Sequence, residues 1–109
     1  MRILIRLALL ATIALGGVFA QLPGALAADY TVIVDKLKFG ALPAELHPGD
    51  VIIWQNDDIL RHSATARDKS FDVDLPAKTS ARMTVGAAGS VDFFCKFHPG
   101  MKGTLVIAP

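Results

Sequence analysis

From residue 29 onward, short runs of β-branched and aromatic residues alternate with clusters of Gly, Pro, Asp and Asn, and no stretch carries the three-and-four spacing of an amphipathic helix. Tyr30–Val34 is a β-branched run, and Lys36–Phe39 alternates polar with apolar until Gly40 stops it. His47-Pro48-Gly49-Asp50 is a turn signal, because Pro presets one backbone angle and Gly accepts a positive one. Val51–Trp54 comes next as an unbroken apolar run, the pattern of a central strand covered on both faces. Asn56-Asp57-Asp58 opens a loop towards Arg61–Thr65. Phe71, Val73 and Leu75 then alternate with Asp72 and Asp74 at the period of a half-buried strand. Pro76-Ala77-Lys78 interrupts, Ser80–Val85 resumes, and Gly86–Ser90 turns the chain into Val91–Cys95, which puts Val91, Phe93 and Cys95 on one side. Gly103–Ile107 reads as the last strand, so Lys96–Lys102 is a tight loop between two strands. The pattern predicts one all-β domain, a sandwich or barrel, with no internal repeat and no linker to a second unit.

The opening residues change that picture. Met1 is followed by Arg2 and Arg6, the apolar run Leu7–Leu15, Gly16-Gly17 and a small-residue exit at Ala25-Leu26-Ala27. A positive start, an apolar middle and an A-x-A end are the parts of a secretory signal peptide. Residues 1–27 are therefore expected to be cleaved and residues 28–109 to form the exported domain, although a cut after Ala28 fits nearly as well. The competing reading is a membrane anchor, but the run is shorter than the ~20 residues a span needs, and Gly16, Gly17 and Pro23 loosen the stretch beyond it. Removing the leader takes away two of the 11 Lys and Arg, and the nine that remain face ten Asp and Glu. That balance lacks the basic footprint of a nucleic-acid binder. It leaves a soluble domain expected in the periplasm as a monomer, with no membrane span after cleavage.

Export makes the cysteine count informative. Small domains in oxidising compartments use cysteines in pairs, whereas this chain has Cys95 alone and cannot form an internal disulfide. In Cys95-Lys96-Phe97-His98-Pro99-Gly100-Met101, a thiol, an imidazole and a thioether stand three residues apart on one short loop. Such a set suits copper: Cys and Met sulfur favour Cu(I), imidazole accepts either oxidation state, and two His with one Cys and a long axial Met make a blue-copper site. The loop supplies one His, so a second must come from elsewhere, and His62 sits where it could reach across the sandwich. Each residue also has a plainer reading. Cys95 can be a buried small hydrophobe, Met101 core filler and His98 a turn cap ahead of Pro99. His47 reads as a solvated turn residue, Met83 as core, and Asp57-Asp58 as a solvated acid pair.

Two linked motifs carry a family resemblance. Cys95-x-x-His98-Pro99-x-Met101 followed by Lys102-Gly103, with Trp54-x-Asn56 and His62 eight positions after the Trp, resembles the cupredoxins and most closely the amicyanins. Plastocyanins and pseudoazurins have longer His-to-Met spacing. The resemblance covers essentially all of residues 28–109 and implies a Greek-key β-sandwich of about seven to eight strands. It further implies one type 1 copper ion held by His62, Cys95, His98 and Met101, cycling between Cu(I) and Cu(II) as a one-electron carrier rather than an enzyme. It implies redox partners such as a dehydrogenase or a c-type cytochrome, docking on an apolar patch near His98 that Phe97, Pro99, Leu60 and Pro43 would form. Two positions depart from the family. Ser63 stands where an Asn usually ties the ligand loops together, which puts that brace in doubt. Phe97 replaces a frequent Pro, and its amide is expected to point back at the Cys95 sulfur. Two other functions stay open at this point: copper delivery or sequestration, and a thiol enzyme using Cys95 with His98.

Overall fold

The computed structural model describes residues 26–109, so the leader expected over residues 1–27 falls almost wholly outside the described residues. Eight strands form from the β-branched and alternating runs. They are β1 (Asp29–Asp35), β2 (Lys38–Phe39), β3 (Val51–Asn56), β4 (His62–Ala66), β5 (Asp72–Leu75), β6 (Ser80–Thr84), β7 (Gly89–Phe94) and β8 (Lys102–Ile107). One four-stranded sheet runs β2-β1-β3-β6 and the other β5-β4-β7-β8. The chain changes sheet after β3, β5 and β6, the wiring of a Greek-key sandwich. β1 and β3 pair in parallel, with Asp29 opposite Val51 and Val34 opposite Asn56, while the other strand pairs are antiparallel. Among the described residues no helix forms, and none is long and apolar enough to cross a membrane.

Two sequence expectations need correction. In β3 only Ile52, Trp54 and Asn56 are buried, whereas Val51, Ile53 and Gln55 are half-buried. The sheet has one face on the core and one only partly covered, so an apolar run did not mean burial on both sides. Lys36–Phe39 is not a single strand. Lys36 and Leu37 take positive φ values of 51° and 60° and form the two-residue turn between β1 and β2, a conformation that usually calls for Asn or Gly. Carboxylates receive both turn amides: Asp35 Oδ1 accepts Lys36 N–H at 2.9 Å and Asp58 Oδ2 accepts Leu37 N–H at 3.2 Å.

Between the sheets, Val32, Val34, Ile52 and Trp54 meet Leu75, Phe93, Leu105 and Ile107. The Phe93 ring lies edge-on to Phe39 at 4.8 Å and to Trp54 at 5.3 Å between centroids. β8 passes so close that a Cβ at Gly103 would stand 2.7 Å from the Phe93 ring. Gly at this position lets the chain return from the Lys96–Lys102 loop directly onto the core.

What positions the site is an incomplete ladder. β4 and β7 pair only at Thr65 with Phe94 and Ala66 with Phe93. Past those two rungs the strands part, leaving His62 and Ser63 on one side of the gap and Cys95, the residue after β7, on the other. His62 therefore does not reach across the sandwich; it faces Cys95 from the neighbouring strand of the same sheet.

Candidate metal centre

Where the ladder fails, side chains take over the open backbone groups. Ser63 N–H donates to Cys95 Sγ at 3.4 Å, and Lys96 N–H donates to Ser63 Oγ at 2.9 Å. The Ser63 hydroxyl lies 2.9 Å from Thr65 Oγ1, which in turn donates to Asp72 Oδ1 at 2.8 Å. Asp72 Oδ2 accepts from Lys96 Nζ at 3.0 Å and closes the circuit. The hydrogen bonds from Lys96 and Thr65 hold the Asp72 carboxyl below its usual range. Ser63 itself spans the gap by taking the Lys96 amide, so a brace between the two segments is present despite the departure at this position, and Thr65 and Asp72 continue it to the Lys96 side chain. Ser63→Ala should lower the stability of the metal-free domain by about 1–3 kcal/mol, because the Lys96 amide and Thr65 lose a buried partner. Chemical denaturation measures this, and an unchanged midpoint would show that Ser63 bears none of the brace.

His62 is fully buried. Its Nε2 lies 2.9 Å from Asp58 Oδ2, and because a carboxylate only accepts, Nε2 carries the proton and Nδ1 presents a lone pair. That Nδ1 is 3.7 Å from Cys95 Sγ. Asp58 is thus no solvated loop acid. Besides His62 and Leu37 N–H it accepts Ile59 N–H at 2.8 Å, and the hydrogen bond from His62, then those from the two amides, lowers its carboxyl pKa against the cost of burial. The loop that carries Asp58 hangs on buried Asn56, whose Nδ2 donates to the Leu60, Leu75 and Pro76 carbonyls and whose Oδ1 accepts Asp58 N–H.

The second imidazole comes from the β7–β8 loop. Cys95 N–H donates to Met101 O at 3.0 Å and Met101 N–H to His98 O at 2.9 Å, so the loop is pinned at its base. His98 Nδ1 lies 3.9 Å from Cys95 Sγ, and its ring is half-exposed against the buried His62 ring, with centroids 4.9 Å apart. Met101 is buried, 5% exposed, in the same cluster as Cys95. The amide donor to the sulfur is Ser63 and not Phe97, so the expectation for the Phe97 amide is not met among the described hydrogen bonds. Phe97 turns outward at 47% exposure beneath the Arg61 guanidinium, which lies 5.3 Å from the ring centroid and clamps Asp74 with two hydrogen bonds of 2.9 and 2.6 Å. Ile59 and Leu60 are exposed, as is Pro99, while Pro43 is half-buried. His47 lies exposed in its turn and Met83 is half-buried in β6, as expected of both.

One ligand atom from each of His62, Cys95 and His98 lies within 4.8 Å of the others. Metal bonds of about 2.0 Å to nitrogen and 2.3 Å to sulfur, opened by roughly 120°, put the donor atoms about 3.7 Å apart. The two Nδ1-to-Sγ distances, 3.7 and 3.9 Å, fit that trigonal edge without rearrangement. A thiol and two imidazoles brought this close together suit copper.

No family model matches the chain. Amicyanin from Paracoccus versutus is 27% identical over 87 residues, covering 73% of this chain and 66% of that protein, so the match spans just under two thirds of the relative's length. Its crystal structure superposes with a TM-score of 0.62 at 25% identity, over 82% of this chain and 87% of that one. A purple cupredoxin from Nitrosopumilus maritimus has the same fold, with a TM-score of 0.65 at 20% identity over 73% of this chain and all of that one. A copper-containing nitrite reductase from Thermus scotoductus shares it over 80% of this chain but 23% of its own length, at 23% identity and a TM-score of 0.63.

Proposed function

The chain belongs to the cupredoxins, and from that premise we propose that it is a periplasmic one-electron carrier whose single type 1 copper is held by His62, Cys95, His98 and Met101. The observation that carries this reading is the placing of two imidazole Nδ1 atoms at 3.7 and 3.9 Å from one buried thiol. Copper supplies the one-electron couple. The protein's part is to keep the donors still while the charge changes. His62 is locked by Asp58, Cys95 by the Ser63 amide and the Met101 carbonyl, and His98 by the turn to Met101. Because each ligand is fixed by the fold, little has to move when an electron arrives. Met101 would add its thioether to the set, on its place in the pinned loop and its burial.

His98 is the one imidazole of the pair with an exposed edge, flanked by outward-facing Phe97 and by Pro99, with exposed Ile59 and Leu60 on the loop before His62. That patch suits a small redox partner such as a dehydrogenase or a c-type cytochrome, since electron-transfer encounters are weak and brief. The full burial of Cys95 is a poor setting for a nucleophile that must meet a substrate, which disfavours a thiol enzyme. Electrochemistry of the copper-loaded domain tests the proposal. One reversible one-electron wave, with the metal retained over many cycles and in the presence of an apo copper acceptor, is expected. Ready loss of Cu(I) to that acceptor would point to delivery or sequestration.

A further inference from the structure

Asp50 is a carboxylate buried almost completely at the foot of β3, with a side chain 5% exposed. Its Oδ2 accepts the His47 N–H at 2.8 Å and its Oδ1 the Ala28 N–H at 3.0 Å. The charged and titratable groups around it are few. His47 Nδ1 stands 3.9 Å from Oδ2 on a ring that is 48% exposed. Asp29, next along β1, pairs with Arg82 of β6 at 3.2 Å. Asp50 is thus held mainly by two backbone amides, and one of them belongs to the residue directly after the A-x-A exit.

We propose that the mature chain begins at Ala28 and that its α-ammonium is the charged partner of Asp50, so that removal of residues 1–27 installs an ion pair at the start of the β1–β3 ladder. This rests on the export reading. In the uncut chain, nitrogen 28 is an amide with one N–H aimed at Oδ1. Hydrolysis of the Ala27–Ala28 bond by water in a leader peptidase puts the hydroxyl on the Ala27 carbonyl carbon and a proton on nitrogen 28. At neutral pH the amine so formed takes up a further proton and becomes an ammonium. The folded geometry also favours one of the two possible starts. Ala28 donates to Asp50 through its nitrogen and accepts Val51 N–H at 2.8 Å through its carbonyl. A cut one residue later would leave both Asp50 Oδ1 and Val51 N–H without those partners, and orphaned groups of this kind are costly. Leu26 is 90% exposed and Ala27 is exposed, whereas Ala28 is the first residue stitched into the sheet.

A carboxylate beside the amine favours its charged form and raises its pKa above the usual α-amino value of about 8. The pair's contribution to stability is then fully present below that unfolded value and is lost as pH rises through the raised folded one. At the acid end, the amides of Ala28 and His47 lower the Asp50 pKa, so the contribution is present above the ordinary 3.8 and fades as pH falls through the lower folded value.

The test begins with the full chain made in an exporting bacterium, followed by the intact mass of the periplasmic product. A product beginning at Ala28 is expected. One beginning at Asp29 would overturn this proposal alone, while an unprocessed chain retained inside the cell would overturn the export reading with it. The α-amine of the product, methylated with carbon-13, is then titrated by NMR. It should titrate above its usual range in the wild type and return to that range in Asp50→Asn. A wild-type amine titrating at or below about 8 would show that the ion pair does not form, whatever the variant does.

Discussion

Replacement of Cys95 by Ser is expected to strip the Cu(II) protein of essentially all its visible absorption. The colour of a type 1 site comes from charge transfer out of a thiolate lying in the ligand plane, and Cys95 is the only cysteine in the chain. Serine is a mild replacement structurally. Its oxygen can still take the Ser63 amide that points at Sγ, and the position is fully buried in either case. A colourless variant that keeps its fold therefore isolates the electronic role of the sulfur from any packing role. Visible and circular dichroism spectra of the two copper-loaded proteins make the comparison. A variant that stayed blue, or a wild type that was colourless with Cu(II), would rule out Cys95 as the in-plane ligand.

Copper should also raise the melting temperature by a large margin, because its donors come from segments far apart in the chain and the unfolded state cannot gather them. At a free metal concentration about a thousand times the dissociation constant, binding to the native state alone adds about 4 kcal/mol. For a domain of this size that is roughly 15–30 °C. His62→Ala should reduce the rise to a few degrees, while Met101→Ala should keep most of it, as suits a weak axial ligand, and alter the spectrum. The rise from metal-free to loaded form is compared within each variant, since losing His62 also strands Asp58. If Met101→Ala abolished the rise while His62→Ala left it intact, the in-plane and axial roles of these two residues would be exchanged.

The parts of this site that were legible in the sequence are the local ones. Cys95 and His98 lie on a loop short enough that their spacing alone brings them together, with Met101 buried at its end, and Val91 and Phe93 share a strand face whose alternation carries on to Cys95, one residue past β7. His62 could be named from the sequence, but its position in the same sheet could not, because that depends on β4 pairing with β7. Asp58 was hidden by its neighbour: two adjacent acids look like solvated loop, and the only signal was a carboxylate four residues before a candidate ligand His. The circuit through Ser63, Thr65, Asp72 and Lys96 joins β4, β5 and the loop after β7, and sequence order says nothing about such adjacency. Lys36 and Leu37 misled for a different reason. Neither is a usual residue for a left-handed turn, and Asp35 and Asp58, which receive their amides, include one acid that is remote in sequence.

The parallel pairing of β1 with β3 bears on how the chain comes into being. Asp29 finds its rung at Val51, and at the far end Ile107 bridges to Leu46, so both extremities of the described chain close against its middle. Long loops must be shut before these contacts repay their entropy, which makes such topologies slow to form. The sheet that holds β1 lacks its edge strand until β6 is made, and the other sheet lacks β8 until the last few residues appear. Until β6 and β8 have been made neither sheet is complete, so the rungs that tie the two extremities to the middle are the last to close.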